Sequence, residues 1–292
     1  MYGPEIIARS ISALAIPDKF NNRWQYHSQS DRHSKITCWA IMFDLLRSCP
    51  MLRKHVEEGK VGFGINLELR DFQTRRKKDL DLVIATPRAN ETLKPKRGKL
   101  TKRPLLTFAD VAVEHEVRLD ATEAAELAAL PELRRVPVGS VCVALETKAV
   151  MTAHIKALPR LHDELDSSHL TVHGHADHSV AAALVTINFG QSFISPKRNT
   201  FDIAHNPAVI NHHDQPNATL RTMEKVLEIR RRNRPSEQGF DAVGIVLIDL
   251  ANDGSPCRVV TSSPAPDQAD PQHYDAMVAR ICSQYHAKFQ GL

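Results

Sequence analysis

Val138-Gly-Ser-Val-Cys-Val-Ala-Leu-Glu-Thr-Lys148 is an almost continuous apolar run that ends abruptly in charged residues. A run of this kind reads as a strand covered on both faces. Side chains alternate along a strand, so Glu146 and Lys148 project from one face at its end. Thr147 points away and offers its backbone carbonyl to the same region. A carboxylate, a carbonyl and an ammonium are thereby gathered at one strand terminus.

Working outward, Asp79-Leu80-Asp81-Leu82-Val83-Ile84 has the leucine and β-branched content of a strand, ended by Pro87, and alternation points its two aspartates the same way. Before it, Ile65, Leu67 and Leu69 alternate with Asn66, Glu68 and Arg70, which describes a half-buried strand. From Ser34 to about Cys49, apolar residues recur at helical spacing, and Pro50 is expected to close that helix. The Lys-, Arg-, Pro- and Gly-rich segment from Arg88 to Pro104 reads as an exposed loop, and Asp120 with Glu123 forms a capping-box pattern before a helix reaching about Leu130.

Beyond the quoted strand, a helix is expected from about Met151 to Leu165, a buried strand from Val180 to Phe189, a helix from about Ala218 to Arg232 and a strand from Ala242 to Leu250. The Asn252-Asp253-Gly254-Ser255 turn predicts a hairpin with Arg258 to Thr261, and Tyr274, Met277, Val278, Ile281 and Tyr285 mark a last amphipathic helix. Strands and helices alternate, so the expected fold is α/β, a central mixed sheet flanked by helices. Residues 1–292 read as a single domain, with a core at about 60–190 and a C-terminal extension at about 195–292.

The formal charge is +4, but basic residues concentrate in Arg75-Arg76-Lys77-Lys78, in Lys94 to Arg103 and in Arg230-Arg231-Arg232-Asn233-Arg234. Such runs suit a polyanion. The five cysteines are far apart, without the Cys-x-x-Cys spacing of a zinc or redox pair, and read as reduced, mostly buried thiols. Met1 to Phe20 lacks the pattern of a signal peptide and no stretch is long enough to span a bilayer, so a cytoplasmic protein is expected. Walker, dinucleotide-binding and Gly-x-Ser-x-Gly patterns are absent.

A second carboxylate from a neighbouring strand, Asp81, would complete an oxygen-rich site suited to Mg²⁺, or Mn²⁺, with Asp81, Glu146 and the Thr147 carbonyl as metal ligands. Asp81-Leu-Val-Ile followed by an apolar strand ending Glu146-Thr147-Lys148 resembles the PD-(D/E)XK nuclease superfamily over roughly Gly62 to Phe189. Leu80 stands where the family name puts a proline, and about 65 residues separate the two halves. The resemblance implies a restriction endonuclease-like core, with Asp81 on its second strand and Glu146 and Lys148 on its third. It further implies hydrolysis of phosphodiester bonds, in a restriction or phage-defence setting.

On that reading Asp81, Glu146 and Lys148 are catalytic, and DNA, duplex rather than single-stranded, is the expected substrate of a homodimer, since cutting both strands takes two centres. Further candidates are Glu68, Asp79, His154, Lys156 and Arg160, with Arg75, Arg76, Lys77, Arg230, Arg231 and Arg232 as nucleic-acid contacts. His169, His173, His175 and His178 crowd a Gly-containing segment read as a loop of satisfied or exposed histidines rather than a zinc site. His205-Asn206 and Asn211-His212-His213 offer a weaker match to the His-and-Asn nucleases. The non-enzymatic alternative is a nucleic-acid- or partner-binding protein in which Asp81, Glu146 and Lys148 form a structural ion-pair network.

Overall fold

A computed structural model of the chain describes residues 1–70, 77–89, 107–234 and 236–292; residues 90–104 of the expected Arg88 to Pro104 loop, with its basic run Lys94 to Arg103, and the candidates Arg75 and Arg76 lie outside the described residues. The chain opens with α1 (Gly3–Ile11), a short antiparallel pair β1 (Ile16–Pro17) and β2 (Arg23–Trp24), α2 (Arg32–Ser48) and α3 (Pro50–Glu57). Pro50 begins α3 rather than only ending α2, because its missing N–H is harmless in a first helical turn. There follow β3 (Gly62–Arg70), β4 (Lys77–Pro87), α4 (Phe108–Glu114), α5 (Ala121–Ala129), β5 (Val138–Val150), α6 (His154–His175) and β6 (Val180–Asn188). The rest comprises β7 (Ser192–Ile194), β8 (Ile210–His212), α7 (Asn217–Leu227), β9 (Ala242–Asp249), β10 (Arg258–Val260) and α8 (Tyr274–Phe289).

The fold is α/β, with a central six-stranded mixed sheet in the order β10-β9-β6-β5-β4-β3. The strands β3, β4 and β5 form an antiparallel meander, β5, β6 and β9 run parallel, and β10 returns antiparallel. The segment after residue 195 therefore supplies two strands to the same sheet. Every residue of β6 is buried, as a strand covered on both faces requires. Residues of α1, α2 and α8 build one apolar core with the sheet, where Trp39 stacks on Phe108 at 4.6 Å, and residues of α6 and α7 build the other. None of the helices among the described residues is long and apolar enough to cross a membrane. The five cysteines are free.

The free edge of β3 is partly covered. Phe63 donates its amide to the Arg134 carbonyl at 2.9 Å and accepts from the Val136 amide at 3.0 Å. This close approach needs Gly62, since a Cβ there would lie 2.5 Å from the Arg134 carbonyl oxygen. The expected capping box is present, and its Glu123 is buried against Arg9.

Two expected boundaries move. Helix α6 runs on to His175, so the histidine-rich segment is helical rather than a loop through that residue: His169 meets Asp166 at 3.3 Å and His173 meets the Gly239 carbonyl at 2.9 Å. Helix α7 stops at Leu227, and Arg232, expected on its end as a phosphate contact, is instead only 2% exposed. Its guanidinium bridges Asp241 and Asp177, each at 3.2 Å, and donates to the Asp177 and Ser179 carbonyls. Lys288 of α8 joins the same Asp241 carboxylate at 2.9 Å. Arg232 thus ties the entries of β6 and β9 to α8.

Removing one member of a buried pair leaves the other charged and unsolvated, so Arg232→Met is expected to cost about 3–5 kcal/mol. Urea denaturation checks this; an unchanged midpoint with weakened nucleic-acid binding would return Arg232 to the surface role.

Candidate functional site

The strand β5 is apolar until Glu146 because it is sandwiched between β4 and β6 with helices on both faces. At its end Glu146 and Lys148 share the face covered by α6. The Lys148 ammonium lies 2.7 Å from Glu146 Oε1 and 3.1 Å from Glu164 Oε2 of α6, while Lys78 of β4 approaches Glu146 Oε1 at 3.7 Å. Glu164 is held in turn by Arg160 at 2.5 Å.

Burial drives the Glu146 carboxyl above its ordinary range; Lys148 opposes the rise and Asp81 adds to it. Burial also works against the Lys148 ammonium, but Glu146 and Glu164 outweigh it, and Lys148 holds its proton more tightly than an ordinary lysine. Glu146 Oε2 is buried with no hydrogen-bond partner.

Asp81 reaches this region by a change of face. Ile65 and Leu82 pair across β3 and β4 and pack toward the α2 core, whereas Leu67 and Leu80, the next pair out, pack toward the α6 core. Regular strands keep alternate residues on one face. Both strands therefore turn over at Asn66 and Asp81, and Asn66 has the left-handed backbone (φ 48°) that this turnover uses. The alternation that aligns Asp79 with Asp81 is broken there: Asp79 is exposed beside Glu68, whereas Asp81 is drawn inward.

Asp81 Oδ2 accepts from the Thr147 amide at 3.0 Å and hydroxyl at 3.1 Å, just beyond the last paired residues of β4 and β5, Leu82 and Leu145. Lys35 of α2, only 3% exposed, donates to Asn66 Oδ1 at 2.5 Å and to the Asp81 carbonyl at 3.2 Å, and lies 3.4 Å from Asp81 Oδ1. Sequence reasoning missed Lys35. Its signal was a lysine on the apolar stripe of α2, four residues before Trp39 and seven before Met42.

The donors that a hard divalent cation would use are only partly free. Glu146 Oε2 is buried without a hydrogen-bond partner, and the Thr147 carbonyl leaves β5 on the same side as its amide, whereas both Asp81 oxygens are engaged, Oδ2 by the Thr147 amide and hydroxyl and Oδ1 by Lys35. Among the described residues no three His, Cys, Asp or Glu side chains converge as a metal cage, so such an ion would rest on two carboxylates, a carbonyl and water.

Beside the charged pair opens a cleft of about 500 Å³, lined by Thr147, Lys148, Arg160, Glu164, Lys197 and Arg198 among others. It lies at the carboxyl end of β5, where open α/β sheets place their ligands.

The other candidates separate. Arg160 is at the cleft, and Lys156 is exposed on the same helix. His154 does not face the cleft; it is buried, with Nε2 2.8 Å from the Asn188 carbonyl and its ring edge-on to His213 at 4.8 Å. Glu68 and Lys77 pair at 2.8 Å on the exposed arm of the hairpin. Arg230 is exposed and Arg231 half-buried, both remote in sequence from the cleft. Comparison with models of known protein families, with curated proteins and with solved structures finds no match to this chain.

Glu146 binds protons more readily folded than unfolded, so its contribution to stability falls as pH rises above the ordinary carboxylate range. Glu146→Gln is therefore expected to flatten the decline of stability with rising pH and to leave the neutral-pH protein stable to within about 1 kcal/mol. Chemical denaturation across that pH range checks this, and a loss of several kcal/mol with an unchanged slope would make Glu146 a structural anchor. Lys35→Met, which strands the Asp81 charge, is expected to cost about 3 kcal/mol, read in the same assay.

Proposed function

We propose that the chain is a metal-dependent nuclease that hydrolyses phosphodiester bonds of DNA at the site formed by Asp81, Glu146 and Lys148. The observation that carries this reading is the bond of Asp81 to Thr147, between the paired Glu146 and Lys148, where β4 parts from β5 on the second and third strands of the β3–β4–β5 meander. That is the placement implied by the resemblance to the PD-(D/E)XK superfamily and its restriction endonuclease-like core.

Asp81, Glu146 and the Thr147 carbonyl would hold Mg²⁺ or Mn²⁺, which supplies polarisation of a phosphoryl oxygen and a bound water of lowered pKa. Lys148 stays protonated, so it acts as a cation and hydrogen-bond donor rather than as a base. Two of its three N–H groups meet Glu146 and Glu164, and the third is available to the attacking water or to the charge developing on phosphate. Lys35 and Thr147 fix the Asp81 carboxylate. Arg160, Lys197 and Arg198 present positive charge to the backbone at the cleft mouth. A symmetric dimer would supply the second centre that cutting a duplex requires.

The closed ion pairs Lys148–Glu146 and Lys148–Glu164 favour one second reading, a binding protein in which the same charges are structural. Supercoiled plasmid and single-stranded circular DNA, incubated with Mg²⁺ or with EDTA, separate the two. Cleavage is expected only with the metal, and Lys148→Ala is expected to slow it about 100-fold or more while circular dichroism stays native. Equal cleavage by both proteins removes Lys148 from the chemistry, whereas binding with no cleavage in Mg²⁺ or Mn²⁺ supports the binding protein.

A further inference from the structure

The cleft beside Lys148 is more than an approach to the charged pair. At about 500 Å³ it has the size of a small-molecule site, whereas a B-form duplex, with a major groove alone about 12 Å across, does not enter it. Its wall carries aromatic rings: Tyr26 stands edge-on to Phe193 at 6.3 Å and to His33 at 5.9 Å. Its mouth carries Arg160, Lys197 and Arg198, all exposed, and Lys148 stands on its wall. Against these cations it presents one carboxylate, Glu164, already held by Lys148 and Arg160.

The second observation is His33. This side chain lines the cleft and is only 7% exposed, yet its Nε2 is buried without a hydrogen-bond partner. Buried polar atoms are nearly always satisfied, and those that are not mark places where something else supplies the bond. Burial holds the imidazole neutral, with its pKa lowered to about 4, so it offers a directional hydrogen bond rather than a charge. A neutral, directional group within aromatic walls, behind a cationic mouth, matches a nucleotide: the base enters and the phosphates remain at the rim.

We infer that this cleft receives one unstacked nucleotide of a single strand, its base against Tyr26 and within reach of His33, its flanking phosphates on Arg160, Lys197 and Arg198. The substrate class is then an unpaired strand, end or flap rather than uninterrupted duplex. The inference depends on the nuclease reading only for which bond is cut, not for which ligand enters.

The test is fluorescence anisotropy in EDTA, with a dye-labelled oligothymidylate of about eight nucleotides and a duplex of similar charge closed by a loop at each end. The intact protein is expected to bind the single strand about tenfold more tightly than the closed duplex. His33→Leu, which keeps the volume but removes the ring nitrogens, is expected to lose most of that preference without altering the salt dependence. The double variant Lys197→Ala/Arg198→Ala, confined to exposed positions, is expected to weaken binding and to make its salt dependence shallower.

Equal affinity of the intact protein for strand and closed duplex overturns the inference, as does a folded His33→Leu protein with its preference intact. If His33→Leu does not fold, the comparison of the two ligands with the intact protein decides. Adding Mg²⁺ to the same mixtures tests the nuclease reading separately. Strand-selective binding without cleavage supports the pocket and counts against the nuclease; cleavage of the closed duplex with no strand preference does the reverse.

Discussion

Where β4 and β5 part, the Asp81 carboxylate takes over the role of a strand. A buried amide left unpaired costs about as much as a lost hydrogen bond, and Thr147 would be left so, because backbone pairing of the two strands ends at Leu82 and Leu145. Asp81 Oδ2 accepts that amide, and Lys35 balances the charge that does so. On its β4 side the end of β5 is thus held by a side chain, while on its β6 side the ladder runs on through Glu146 and Lys148 to Val150. The cleft opens alongside.

The same chain buries a second carboxylate network, and the contrast between the two is instructive. Burial pushes the Asp241 carboxyl up, yet Lys288, the Ala181 amide and Arg232 together hold it below its ordinary value. Glu146, buried to a similar extent, is driven above its ordinary value, and one of its oxygens has no donor at all. One network is complete and binds secondary structure together. The other leaves one carboxylate oxygen without a donor, so it does not offset its own burial in the same way.

Much of the scaffold was legible. The apolar run of β5 and the Asp120–Glu123 capping box are local patterns, and local geometry follows from them. The alternation of Ile65, Leu67 and Leu69 marks the strand but not its face, since Ile65 packs toward one core and Leu67 and Leu69 toward the other. The convergence of Asp81 with Thr147 was foreseen only as a neighbourhood. What alternation could not carry was the turnover at Asn66 and Asp81, because a left-handed asparagine changes the face of every residue beyond it. Lys35 and His33 escaped notice because a polar residue in the buried part of an amphipathic helix gains meaning only from what the sheet presents to it. Arg232 was misplaced for the opposite reason: it sits in a basic run, and composition alone does not separate a solvated arginine from one enclosed by two aspartates.

The strap of residues 134–136 over the first half of β3 bears on self-association. A nine-residue strand at a sheet edge is a template on which a second chain can lay down its own backbone. Here Phe63 has already spent its outward amide and carbonyl on Arg134 and Val136, and the turnover at Asn66 swings the remaining half away from the line of the first. At the opposite edge β10 offers only three residues. Neither edge is a good template for strand addition, and copies of this chain that associate would meet through helices and loops, leaving the sheet intact within each one.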